Sequence, residues 1–192
     1  MPAYAPAIRA ALAKAPHLTN WVLCPWLDKA IAELGTAEKP GKGSNSRILD
    51  YRTMAHLAIG GDDSDVPWCA IFVNAMLAQA GVKTSGTALA RSFTHSPDFV
   101  MLDEPVVGCI SVISSSRGPS SGHVFFYTGE NGLFFQALGG NQDDSVCIAF
   151  FQKKKLVGHY WPKSQPLPPA PYNKPFKLPR PLLPHERAAK DA

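Results

Sequence analysis

With 192 residues, 45% apolar and 18% charged, the chain is long enough for one domain with a substantial core plus extensions. Its formal charge of +4 comes without an aromatic-interleaved basic patch or a nucleic-acid motif, which gives no ground for nucleic-acid binding, and no run of about 18 apolar residues predicts a transmembrane span. The four cysteines, Cys24, Cys69, Cys109 and Cys147, include no C-x-x-C pair; this argues against a zinc site, and a free nucleophile among them would leave an odd number, against a full disulfide framework.

The first 24 residues are Ala-rich but broken by Arg9 and Lys14, so they read as an extension rather than a Sec signal peptide. Asp62, Asp63 and Asp65 suggest a calcium loop only superficially, because no bidentate Glu or loop glycine follows at EF-hand spacing; a solvated cap is expected instead. From there a helix is predicted. Asp65 is its expected N-cap, Pro67 suits the first turn and Gly81 is the stop. Between them Ile71, Phe72, Ala75, Met76 and Ala78 to Ala80 recur at helical spacing.

Cys69 falls in the first turn of that helix. A free thiol has a pKa of about 8.5 and is little ionised at neutral pH; first-turn N–H groups and a nearby imidazole both lower it. The competing reading is an inert buried cysteine. The position in the first turn, together with Gly122-His123-Val124 downstream, points to a thiol nucleophile with a histidine base.

The second half reads as an antiparallel β-meander. Gly108 to Ile113 alternates or runs apolar, His123 to Tyr127 is β-branched and aromatic, and the serine-rich turn 114–121 separates them. Glu130-Asn131-Gly132 marks a hairpin, and Leu133 to Leu138 returns. Pivoting on that turn places His123 near Leu138, with Gly139-Gly140-Asn141-Gln142 emerging at the same end. An amide there would accept the imidazole N–H and hold the ring. Asn141 is the expected residue; Gln136, on the face of Leu138, is the geometric rival, and Gln142, Asp143 and Asp144 are read as substrate contacts or a turn. Ser145 to Phe151 and Leu156 to Trp161 are the last two strands, with Cys147 in the core.

Asp65 to Ala70, Ala88-Leu89-Ala90-Arg91-Ser92, Gly122-His123-Val124 and Leu138-Gly139-Gly140-Asn141-Gln142 together resemble the CHAP and NlpC-type cysteine peptidases, many of them endolysin-like cell-wall hydrolases. An upstream stretch fits too, with Pro25-Trp26-Leu27, Glu33-Leu34-Gly35, Glu38, Gly41 and Asn45 to Leu49. The resemblance covers residues 25–161 and implies an α+β papain-like fold, with a nucleophile helix packed on the meander. It implies metal-free amide hydrolysis in peptidoglycan, by an amidase or endopeptidase, with Cys69, His123 and Asn141 catalytic and no cofactor. The chain departs from the pattern at Gly139, where CHAP enzymes often carry Glu, and at Gly108-Cys109, where Gly-Asp is usual. An antibacterial toxin effector with the same chemistry and a non-catalytic wall-binding protein are the alternatives; intact Cys69, His123 and Asn141 argue against the second.

Residues 162–192 form a distinct tail. It holds nine of the 18 prolines, and six basic residues against Glu186 and Asp191 give it the whole net charge of +4. Such a segment favours extended conformations and is expected either to attach to an anionic wall polymer, an immunity protein or a loading partner, or to remain a solvated extension. Without a signal the enzyme would be made in the cytoplasm and reach the periplasm or wall by release or injection. His159, beside Tyr160-Trp161, is expected to be structural, and His17, His56, His95 and His185 lack matching partners.

Overall fold

In the computed structural model, residues 24–168 other than 119 are described. They build three α-helices and a six-stranded antiparallel sheet, an α+β arrangement. Helix α1, Pro25–Ala32, starts on a proline and buries Trp26, Leu27, Ala30 and Ile31 along one stripe. Helix α2, Ser46–Met54, is capped by Asn45, whose side chain accepts the Arg47 N–H at 2.9 Å. Helix α3, Cys69–Gln79, is buried at every residue from Cys69 to Leu77, so it runs through the core rather than over it.

The start of α3 differs from the expectation. Asp65 belongs to a separate turn, its N–H bonding the Asp62 carbonyl at 3.3 Å, and Trp68 occupies the N-cap position without a side-chain cap. The helix therefore begins on Cys69 itself. Gly81, at φ +69°, follows its end as expected.

The strands are β1 (Phe99–Leu102), β2 (Ile110–Ser114), β3 (Gly122–Asn131), β4 (Phe134–Gln142), β5 (Ser145–Gln152) and β6 (Leu156–Pro162), in the order β1-β6-β2-β3-β4-β5. Four of them, β2 to β5, form the meander. Strand β6 does not extend it but crosses to lie between β1 and β2. The outer edge of β5 is already occupied: Gly35 N–H bonds Val146 O at 2.9 Å, Val146 N–H bonds Thr36 O at 2.7 Å, and Ala37 bridges Ser145.

The core forms where α3 meets the sheet. Phe72 packs against Tyr51 of α2 and Phe126 of β3, with ring centroids 5.4 and 6.5 Å away. Gly140 makes the approach possible on β4, because a Cβ there would lie 2.4 Å from Trp68 Cζ3 and 2.7 Å from Phe72 Cβ. Beyond β6 the chain stays attached, with Trp161 Nε1 donating to Gln165 O at 3.0 Å and Lys163 N–H to Asp98 O at 2.9 Å. At the other end Cys24 is already buried against Val107 O. The rest of the N-terminal extension and of the basic tail lies outside the described residues.

Candidate active site

Cys69 is the first residue of α3, and His123 is the second of β3. The first N–H groups of a helix have no intrahelical acceptor, and the first bond of α3 is Phe72 N–H to Trp68 O at 2.9 Å. The Cys69 thiol is 5% exposed, and the His123 imidazole and the backbone N–H groups of Val124 and Ala70 act on it. Burial works against the thiolate. The influence of His123, with those two N–H groups, outweighs it and holds the thiol below its ordinary range. Burial likewise penalises the imidazolium, as does the charge of Arg117. The Cys69 contact and the bond to Gln142 more than offset both, so His123 is raised. The two shifts run in the directions that favour a thiolate–imidazolium pair.

The residue that holds the ring is Gln142. Its Oε1 lies 3.0 Å from His123 Nε2. Its Nε2 donates to Cys147 O at 2.7 Å, which fixes the amide and leaves Oε1 as acceptor only. His123 Nε2 therefore carries the proton, and Nδ1 is left for the thiol. Phe151 and Phe125 flank the ring, with centroids 4.9 and 6.0 Å away.

This corrects the sequence expectation for the orienting residue. Asn141 lines the cleft, but the bond to the imidazole comes from its neighbour. Gln136 is buried nearer the hairpin, opposite Phe150, where its Oε1 accepts from Thr128 Oγ1 at 3.0 Å. The reason lies in register. Phe126, not His123, pairs with Leu138, because the hairpin turns at Gly132-Leu133 and a bulge follows Tyr127. Continued at that offset, the ladder brings residues near 141 opposite His123. There Asn141 adopts φ +55°, within a second irregularity between Gly139 and Gln142. That left-handed residue breaks the alternation of the strand and turns Gln142 onto the face of Gly139. Gly139 leaves the room, since a Cβ there would lie 2.7 Å from Gln142 Oε1.

Two further residues brace the site. Glu38 accepts the Trp68 indole N–H at 2.7 Å, and its own N–H bonds Asp144 O at 2.8 Å. One short segment thus ties the residue before Cys69 to the turn after Gln142. Arg91 Nε donates to Ser121 O at 3.1 Å and fixes the approach to His123. Both residues sit in stretches quoted above, but neither role had a local sequence signal.

Cys69, His123, Asn141 and Gln142 border a cleft of about 550 Å³, walled by the start of α3, the β2–β3 loop, the end of β4 and residues 148–151 of β5. His159 is elsewhere, buried with its Nδ1 2.8 Å from Ser111 Oγ. No group of three or more His, Cys, Asp or Glu side chains suited to a metal occurs among the described residues, and none of their helices is long and apolar enough to cross a membrane. Comparison with family models, curated proteins and solved structures returns no match for this chain.

Proposed function

We propose that the chain is a papain-like cysteine hydrolase that cleaves an amide bond in peptidoglycan, as an amidase or endopeptidase. The observation that carries the chemistry is the Cys69–His123–Gln142 chain of contacts opening on the cleft. The choice of peptidoglycan rests on the sequence resemblance to CHAP and NlpC-type enzymes. In this reading the Cys69 thiolate attacks the carbonyl carbon, and the oxyanion forms near the Cys69 N–H, which has no helical acceptor. The His123 imidazolium gives its proton to the nitrogen as the C–N bond breaks, releasing the amine and leaving a thioester. Water, deprotonated by His123, then attacks the thioester. The acid departs and the thiolate–imidazolium pair is restored. Gln142 holds one tautomer throughout, and Asn141, next to it on the cleft wall, is available to substrate. The enzyme acts in the periplasm or cell wall, reached by release or injection.

The test is digestion of purified sacculi followed by mass spectrometry of the released fragments. Wild type should release fragments with a new amine and a new carboxyl terminus, whose masses identify the bond. Cys69→Ala should release none while retaining the wild-type melting curve. Equal release by both proteins would overturn the proposal.

A further inference from the structure

Apart from His123, the cleft wall carries one basic side chain, Arg117, on the loop between β2 and β3. Its neighbours in kind are all engaged. Arg47 pairs with Glu33, Arg52 donates to the carbonyls of Ile59, Gly61 and Asp62, and Arg91 holds Ser121 O. Of the four arginines among the described residues, Arg117 alone has no ion pair or side-chain hydrogen bond there, while its backbone N–H bonds Ser115 Oγ at 3.2 Å and shapes the loop. Its charge nevertheless reaches His123, where it disfavours the imidazolium. An unneutralised guanidinium beside a thiolate–imidazolium pair works against half of that pair. It does so until something anionic meets it.

We propose that Arg117 binds a free carboxylate of the substrate close to the scissile amide, so that the cleft selects anionic over amidated peptides. This rests on the hydrolase reading given above and names the substrate class for that site. Guanidinium and carboxylate match in a two-pronged, charge-assisted geometry. Neutralising Arg117 also removes its opposition to the imidazolium, so the correct substrate favours the reactive ion pair as it binds. Asp143, on the turn after β4, adds a carboxylate to the lining. It would repel an anion placed there, giving the substrate one preferred direction.

The experiment uses two soluble stem peptides that differ in one group: the α-carboxylate of the γ-linked D-glutamyl residue is free in one and amidated in the other. Binding is measured by calorimetry on the full chain carrying Cys69→Ala, and cleavage on the wild type. The free acid should bind about 10- to 100-fold more tightly, in the range of a charged hydrogen-bonded pair. Arg117→Gln should collapse that ratio to near one, and Arg117→Lys should restore part of it. In turnover the ratio should appear in KM more than in kcat. Equal binding of the two peptides, binding of neither, or an unchanged ratio in Arg117→Gln would overturn the proposal. Selective binding without cleavage by wild type would instead refute the hydrolase reading and leave carboxylate recognition standing.

Discussion

Gln142 does two things with one amide. Its NH₂ is anchored on Cys147 O, and its oxygen sets the tautomer of His123. Asn141 supplies the backbone conformation that makes this possible, at φ +55°, a region Asn enters more readily than most residues. The two substitutions should therefore separate. Gln142→Ala should lower kcat by about 100-fold with little change in KM, as loss of a group that positions the base does. Asn141→Gly, which keeps the backbone free to turn, should keep kcat within about threefold of wild type if Asn141 acts through the turn alone. Steady-state kinetics on a soluble muropeptide decides; full activity in Gln142→Ala would remove it from the site. His159 behaves as a different kind of residue. Burial pushes its pKa down from 6.5 to about 4, so it stays neutral where an unfolded histidine takes up a proton. Acid thus favours the unfolded chain. The contribution is intact above pH 6.5 and is lost as pH falls towards 4, about 3 kcal/mol in all. Urea denaturation at a series of pH values should show this slope in wild type and a shallower one in His159→Gln. Parallel slopes would contradict it.

At the scale of elements, the close approach of α3 to β4 decides whether Cys69 reaches His123. Gly140 and Gly139 face opposite sides of β4, and their substitution should fail in different ways. Gly140→Ala drives a methyl into Trp68 and Phe72, both in the core, and should cost about 1–3 kcal/mol of stability in urea denaturation. Gly139→Ala meets the far end of the Gln142 side chain rather than the core rings and would push its amide off His123, so activity should fall more than stability. The opposite ordering would mean that Gly139 supports the fold rather than the amide. Helix α3, the strand with His123 and the hairpin were legible in sequence because apolar spacing, β-branched runs and Asn-Gly are local signals. What was not legible was non-local. Asp65 has the right chemistry for an N-cap, yet the chain spends it in a turn and starts α3 at Cys69. The place of β6 depended on which sheet edge was free. The exchange of Asn141 for Gln142 depended on two bulges, each of which shifts the ladder by a residue, and a shift of one residue reverses every facing.

For the whole molecule, the net charge is unevenly distributed along the chain. The tail from Pro162 holds the full net charge, while hydrogen bonds to the domain continue only through Gln165 among the described residues. Deletion of residues 169–192 should leave urea denaturation and turnover of a soluble muropeptide unchanged. It should weaken cosedimentation with intact walls, most strongly at low salt, where charges act over the longest range. Loss of folding in that deletion would make the tail structural. The four cysteines are divided as well. Burial pushes Cys24 and Cys109 up to about 12, Cys147 is packed against Gln142 O, and Cys69 is held low by its partner. The central claim, a thiolate–imidazolium pair at Cys69, is therefore tested most directly by the pH dependence of iodoacetamide alkylation, read at each cysteine by peptide mass spectrometry. Wild type should alkylate first at Cys69, with a rate that persists well below the range of an ordinary thiol, and His123→Ala should move that limb upward. A Cys69 that titrates as an ordinary thiol, unaffected by His123→Ala, would contradict the account.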